Sequence, residues 1–245
     1  MEGTLKTQIC GLTDPGRVRK ANEDAVSWDA EAGWVVLADG MGGHMAGEVA
    51  SGIAVETLAH SLGEQPLADT SDKAAAELSA AVARANARIH EQARTDIRCH
   101  NMGTTLIAGL FYDRTLVSAH VGDSRLYLYR DADLVRLSHD HSLVQEMVDE
   151  GMMSPEEAAE STHKNVITRA LGLEATVQVD LLQHHLQPGD LYLFCSDGLT
   201  DKIDDAELGE FLRGEDLAAM SQRLVDESNA RGGEDNISVI LVRII

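Results

Sequence analysis

Carboxylates recur in this chain where apolar runs end. Trp34-Val35-Val36-Leu37-Ala38 is continuously apolar, as a strand buried on both faces would be, and it runs straight into Asp39-Gly40-Met41-Gly42-Gly43. Leu191 to Cys195 repeats the pattern and ends at Ser196-Asp197-Gly198. Leu116 to Val121 meets Gly122-Asp123-Ser124-Arg125, and Gly233-Glu234-Asp235-Asn236 opens the last apolar run. A further acidic pair, Glu23-Asp24, follows Arg17-Val18-Arg19-Lys20-Ala21-Asn22. Taken one at a time, each motif is more simply a turn, because Asp and Gly are favoured turn residues. Taken together, they pose an electrostatic problem. If the strand ends converge, each pair of carboxylates about 4 Å apart repels by roughly 4 kcal/mol at an effective dielectric of 20. Lysine is nearly absent from these motifs, so the counter-charge that suits them is a hard divalent ion, Mg²⁺ or Mn²⁺, which takes oxygen ligands and keeps several waters. Gly40, Gly42 and Gly43 leave room for backbone carbonyls and water to approach such an ion. Five acidic loci suggest two or more ions, whose common work is in-line attack on phosphorus.

Other chemistries lack their signatures. Gly40-Met41-Gly42-Gly43 continues into neither a P-loop nor a dinucleotide fingerprint. No Asp-x-Asp-x-Asp-Gly calcium loop occurs. None of Cys10, Cys99 and Cys195 has an arginine six residues on, and no Gly-x-Ser-x-Gly elbow is present. The three cysteines are odd in number and widely spaced, which reads as buried, reduced filler. A net charge of -21 argues against nucleic acid, whose binding needs a basic face. For most of the 41 acidic residues a solvated surface is the simpler reading.

The elements that must position these groups are many and short. Strands are predicted near Lys6 to Leu12, Ala25 to Trp28, Gly33 to Ala38, Thr104 to Phe111, Leu116 to Val121, Leu126 to Tyr129, Leu134 to Leu137, Thr176 to Leu181, Leu191 to Cys195 and Ile237 to Ile244. Two long helices fall between the third and fourth strands, one from about Gly47 to Leu62 and one capped by Ser71. Two more, near Asp205 to Leu212 and Leu217 to Ser228, precede the last strand. Hairpin-ordered strands with paired helices predict an α+β sandwich, antiparallel sheets inside and helix pairs outside. His141 to Ala170 departs from this plan. It carries a short helix through Met147 and Val148 that stops at Gly151, then the capping box Ser154-Pro155-Glu156-Glu157, and so predicts a small helical insert over an edge. No linker or repeat divides the 245 residues, which predicts one domain. The start MEGTLKTQIC lacks the order of a signal peptide and no apolar stretch is long enough to span a bilayer, so a cytoplasmic protein is expected.

In combination, Arg19 to Asp24 (RKANED), Asp39 to His44 (DGMGGH), Gly103-Thr104-Thr105, Gly122 to Arg125 (GDSR), Ser196 to Leu199 (SDGL) and Asp235-Asn236-Ile237 (DNI) resemble the ordered motifs of the metal-dependent Ser/Thr protein phosphatases, the type 2C class, especially its bacterial branch. The resemblance covers essentially the whole chain. It implies a four-layer αββα sandwich with a binuclear Mn²⁺ or Mg²⁺ centre and a possible third, weaker ion. By position, Asp39 would bridge the two ions and the Gly40 carbonyl would bind one of them. Asp197 and Asp235 would hold the other, while Asp24, with Glu23 nearby, would anchor waters of the ion on the Gly40 side. Asp123 would serve the third ion, Arg19 would clamp the phosphate, and the insert at 141–170 would be the family's flap. Eukaryotic members carry histidine directly after Asp-Gly, where this chain has Met41, as bacterial members often do. His44, just beyond the glycines, then becomes the nearest titratable candidate for protonating the leaving group, or else a histidine that only fixes the loop.

The resulting expectation is a phosphatase acting on phosphoserine and phosphothreonine through a metal-bridging hydroxide. Its partners would be phosphorylated proteins, including a cognate Ser/Thr kinase and its substrates, with no nucleic acid and no membrane segment, and it would act as a monomer. Two alternatives stay open: a catalytically silent relative that binds phosphoproteins, and a hydrolase of small phosphate esters.

Overall fold

A computed structural model describes residues 5–42, 46–63 and 70–245. In chain order the strands are β1 (Thr7–Asp14), β2 (Asp24–Asp29), β3 (Trp34–Met41), β4 (Gly103–Thr104), β5 (Leu106–Tyr112), β6 (Thr115–Val121), β7 (Arg125–Arg130), β8 (Asp133–Arg136), β9 (Asp180–His185), β10 (Leu191–Cys195) and β11 (Ile237–Ile244). The α-helices are α1 (Ala46–Gly63), α2 (Ser71–Thr95), α3 (Leu143–Asp149), α4 (Pro155–Ala159), α5 (Asp197–Thr200), α6 (Asp205–Phe211) and α7 (Leu217–Ala230).

The strands form two antiparallel sheets, ordered β1-β11-β10-β7-β8 and β2-β3-β5-β6-β9, with β4 added to β3. The continuous apolar runs are explained by this stacking. On β3, Val35 and Leu37 point into the core between the sheets, while Trp34, Val36 and Ala38 point the other way, toward α1 and α2. On β11, Ile240, Val242 and Ile244 fill the inter-sheet core, and Ile237, Val239 and Leu241 meet α6 and α7. A strand covered on both faces has no polar side to alternate with. The layers are therefore helix, sheet, sheet, helix, as expected.

Some boundaries moved. The strand expected at Thr176 to Leu181 is β9, which begins only at Asp180. Val177 and Val179 supplied the strand-like alternation, but they pack against the core beside α2 before the ladder with β6 begins. The N-cap of α2 is Thr70 and not Ser71; its hydroxyl accepts from Lys73 N. The insert contains α3 and α4, and the Ser154–Glu157 capping box forms on α4 as predicted. The helix α1 buries mostly small residues, Ala46, Gly47, Ala50, Ser51 and Ala54 among them. Small side chains let its first turns lie close on the end of β3.

Candidate metal centre

The acidic strand ends meet at one rim of the sandwich. Asp24 and Asp39 are Cα partners in the β2–β3 ladder. Asp235 lies two residues before β11 begins, Asp197 is the first residue of α5, and Asp123 sits in the turn between β6 and β7. Asp39 feels the charges of Asp24, Asp197, Asp123 and Asp235 together. Burial first, and that repulsion second, push its carboxyl well above the usual carboxylate range. Asp197 is raised in the same way, by burial and then by Asp123, Asp201 and Asp235. Asp24 is pushed up to about 6 by burial, although the hydroxyls of Ser238 and Ser196 donate to its Oδ2 at 2.6 and 2.9 Å. Asp123 is also pushed up to about 6, by burial and then by Asp140. Such a set resists ionisation unless positive charge arrives.

The backbone completes the cradle. A Cβ on Gly40 would lie 2.1 Å from the Gly47 carbonyl oxygen and 2.6 Å from that of Glu23. A Cβ on Gly47 would meet Glu23 Cδ and the Gly40 oxygen, both at 2.8 Å. Gly40 is thus thin because α1 begins directly against it, which adds a packing reason to the expected one of ion access. Gly40 N donates to Glu23 O at 3.0 Å, and Ser51 Oγ donates to the same oxygen at 2.5 Å. The Glu23 carboxyl sits beside these groups and is raised, chiefly by burial.

Divalent ions fit this donor set. Asp24 Oδ1 and Asp197 Oδ1 are buried with no hydrogen-bond partner, which is costly for a carboxylate unless a cation takes the lone pairs. Among the described residues, no three His, Cys, Asp or Glu side chains stand gathered as a cage around a single point. The donors are spread along the rim instead, as suits hard ions that keep several waters and accept backbone carbonyls. Arg19 lies at the edge of the same rim, its Nη2 donating to Asp235 Oδ2 at 2.7 Å. Desolvation opposes its charge, but Asp235, Glu23 and Asp39 outweigh that and raise its pKa. His44 lies outside the described residues. Met41 ends β3, and its Cε is the nearest atom to where a Cβ on Gly103 would stand.

Several positioning residues were not among the predicted site. Asn236 is 4% exposed and its side chain accepts from Glu23 N at 2.7 Å while donating to the carbonyls of Pro15 and Ala21, each at 3.0 Å. It ties the Glu23-Asp24 segment to the Asp235 end. Thr104 Oγ1 donates to Asp39 O at 2.8 Å, and Thr105 Oγ1 accepts from Asp39 N at 3.0 Å, so that the Thr104-Thr105 pair fixes the backbone of Asp39 from both sides. Ser196 and Ser238 hold Asp24. The usable signal was polar residues interrupting otherwise apolar runs, Ser238 within Ile-Ser-Val-Ile above all.

Two facing antiparallel sheets between helix layers, with carboxylates drawn to one rim, define the class of αββα proteins built around divalent ions. The family profile described as protein phosphatase 2C matches residues 17–241, and the chain belongs to that family. It is 40% identical over 243 residues to the "Serine/threonine protein phosphatase PstP" of Mycobacterium tuberculosis, covering 99% of this chain and 46% of that one. The chain thus spans about half the length of that relative. It is 38% identical to the "Serine/threonine phosphatase stp" of Listeria innocua, covering 94% of this chain and 93% of that one. A crystal structure of the PstP catalytic domain, described as in complex with two manganese ions, superposes with a TM-score of 0.90 at 39% identity, covering 99% of this chain and all of that one.

Proposed function

We propose that this chain is a protein serine/threonine phosphatase that hydrolyses phosphoserine and phosphothreonine esters at a binuclear Mn²⁺ or Mg²⁺ centre. The observation that carries the reading is the pair of orphaned oxygens, Asp24 Oδ1 and Asp197 Oδ1, inside a rim where Asp39 feels four other carboxylates. In this reading Asp39 would be shared between the two ions, the Gly40 carbonyl, with Asp24 and Glu23 behind it, would hold one, and Asp197 and Asp235 would hold the other. Asp123 would hold a third, weaker ion. When bound, the ions supply Lewis acidity and lower the pKa of a coordinated water from 15.7 toward about 7. Arg19 grips and orients the phosphoryl oxygens through its planar fork. His44 would supply the leaving-group proton, or else only fix the loop after the glycines.

The whole chain acts as one catalytic domain, with 141–170 as its flap. A cleft of about 760 Å³ runs from Asp123 and Asp197 between the flap residues Val144 and Val148 and the opposite wall at Asp201 and Glu207. The cleft is not enclosed, and an open site favours phosphoproteins over small esters. Among the described residues no helix is long and apolar enough to cross a membrane. The reading includes a cytoplasmic monomer that works on the products of a cognate Ser/Thr kinase.

The test is hydrolysis of a phosphothreonine peptide with Mn²⁺ or Mg²⁺ and with excess chelator. Activity appears only with metal and survives thiol alkylation, because the rim is built of carboxylates and burial pushes the thiol of Cys195, the cysteine nearest Asp197 in the chain, up to about 12. Full turnover in chelator would sink the metal centre. Binding of the phosphopeptide without turnover at any metal concentration would favour the silent relative.

A further inference from the structure

The base of the flap is tied to the turn that carries Asp123 by a reciprocal pair of hydrogen bonds. Gly122 N donates to His141 Nδ1 at 3.0 Å, and His141 N donates to the Gly122 carbonyl at 2.8 Å. His141 is 5% exposed and belongs to no part of the site described above. Because Nδ1 accepts, the neutral ring must carry its proton on Nε2. Nε2 faces Asp180 Oδ2 at 3.3 Å. Arg169 Nη1 stands 3.0 Å from Nε2 and donates to Asp180 Oδ1 at 2.8 Å. Two donors cannot bond to each other, so the Asp180 carboxylate at the start of β9 is what they share. Burial, then the Arg169 charge, lower the pKa of His141 and keep the ring neutral. Its face is covered by the His120 ring, with centroids 4.8 Å apart. Thr168 N donates to the His141 carbonyl at 2.8 Å, closing the flap's two ends on one residue.

Gly122 packs closely against Thr105 on the other side. Its φ of +106° lies where only glycine is comfortable, and a Cβ there would stand 2.7 Å from Thr105 Cβ. Thr105 Oγ1 also takes the Asp39 amide at 3.0 Å and shares a hydrogen bond with Ser124 Oγ at 2.8 Å. Asp123 is therefore suspended between two fixed neighbours, one gripped by His141 and one by Thr105.

We propose that His141 is a positioning residue: locked as the Nε2–H tautomer by Asp180 and Arg169, it fixes the Gly122–Asp123 turn from the base of the flap and sets how Asp123 presents its carboxylate to a weakly held divalent ion. The proposal rests on the reading of Asp123 as a ligand of that ion. Groups that orient metal ligands from behind typically change metal affinity by about 10- to 100-fold when removed.

The experiment titrates Mn²⁺ alone into the full chain by calorimetry and follows amide exchange of the peptide containing Gly122. His141→Ala weakens the weak class of Mn²⁺ sites by about tenfold, leaves the tight class within about twofold, and speeds Gly122 exchange. His141→Asn, whose Oδ1 can occupy the place of Nδ1, restores both readouts to within about threefold of the parent. Unchanged weak binding in His141→Ala overturns the proposal. So does equal loss in the Ala and Asn variants, which would assign the effect to the bulk of the ring. Should His141→Ala not fold, Asp180→Asn, which weakens the tautomer lock, shifts the weak class in the same direction, and no shift there overturns the proposal. Asp123→Ala is run beside them. If it leaves the weak class intact, the reading of Asp123 fails and the proposal with it; if it removes that class, only the His141 variants decide.

Discussion

The guanidinium of Arg19 donates to Oδ2 of Asp235 at 2.7 Å, so the proposed phosphate clamp and a proposed metal ligand engage each other directly. The side chains are 51% and 33% exposed, and a pair that open contributes about 0–1 kcal/mol, so the contact is readily exchanged. A cation at Asp235 would release Arg19 toward the phosphoryl group. Arg19→Ala is expected to lower kcat/KM for a phosphopeptide by about 100-fold while leaving Mn²⁺ affinity unchanged or slightly tighter. Arg19→Lys restores little of it, since an ammonium lacks the planar fork. Steady-state kinetics beside a metal titration check this, and a large loss of metal affinity would reassign Arg19 to the metal site.

Asp39→Asn is expected to abolish activity and weaken both tight Mn²⁺ sites, because the bridging role has no substitute among its neighbours. Asp123→Ala should spare the two tight ions and slow turnover. Calorimetric titration separates the two cases. Retention of both tight ions by Asp39→Asn would remove it from the bridging position.

The raised carboxylates make stability depend on pH in a definite sense. Asp24 and Asp123 are raised to about 6 and Asp39 and Asp197 well above the usual carboxylate range, whereas in an unfolded chain such groups ionise at about 4. Between those values the ion-free folded protein binds more protons than the unfolded chain. The contribution of these groups to its stability is therefore full below about 4 and declines as pH rises through about 6. In chelator, Tm should fall by about 5–10 °C between pH 5 and pH 7.5, and the increment from added Mn²⁺ should be larger at pH 7.5, where the metal no longer competes with protons. Scanning calorimetry at the two pH values decides; a chelated Tm that climbs over this range contradicts the assignment.

Asn236→Ala should destabilise the protein by about 2–4 kcal/mol, since it strands the Glu23 amide and leaves the carbonyls of Pro15 and Ala21 without their donor. The variant that remains folded should also bind Mn²⁺ more weakly, because the Glu23-Asp24 segment loses its tether. Urea denaturation measures the first effect, and a cost below about 1 kcal/mol would mean that water replaces the side chain.

Replacing 142–165 with a short linker should change phosphopeptide selectivity more than hydrolysis of a small aryl phosphate. The excision removes the wall of the cleft and the Lys164–Asp201 contact at 2.9 Å, yet it keeps His141 and Arg169 at the base. Equal collapse on both substrates would place the flap in the catalytic machinery itself.

Much of this protein was legible in the sequence by itself. Two-sided burial leaves a mark in a single strand, so Trp34 to Ala38 and Leu191 to Cys195 could be read as interior strands and the carboxylates after them as a rim. Local chemistry likewise determined the Ser154–Glu157 capping box, whose hydrogen bonds close within four residues. The edge strand β9 was misplaced because an edge position imposes only a weak pattern, and Val177 and Val179 alternate for the sake of a helix contact. What only the tertiary structure decided is which distant groups meet. Strand pairing such as Thr7 with Ile244, the Asn236 tether to Glu23, and the grip of His141 on Gly122 all join segments with no local relation. Periodicity fixes which face of a strand is buried, but it carries no information on which neighbour supplies the next row of hydrogen bonds; that depends on the packing of the whole sandwich.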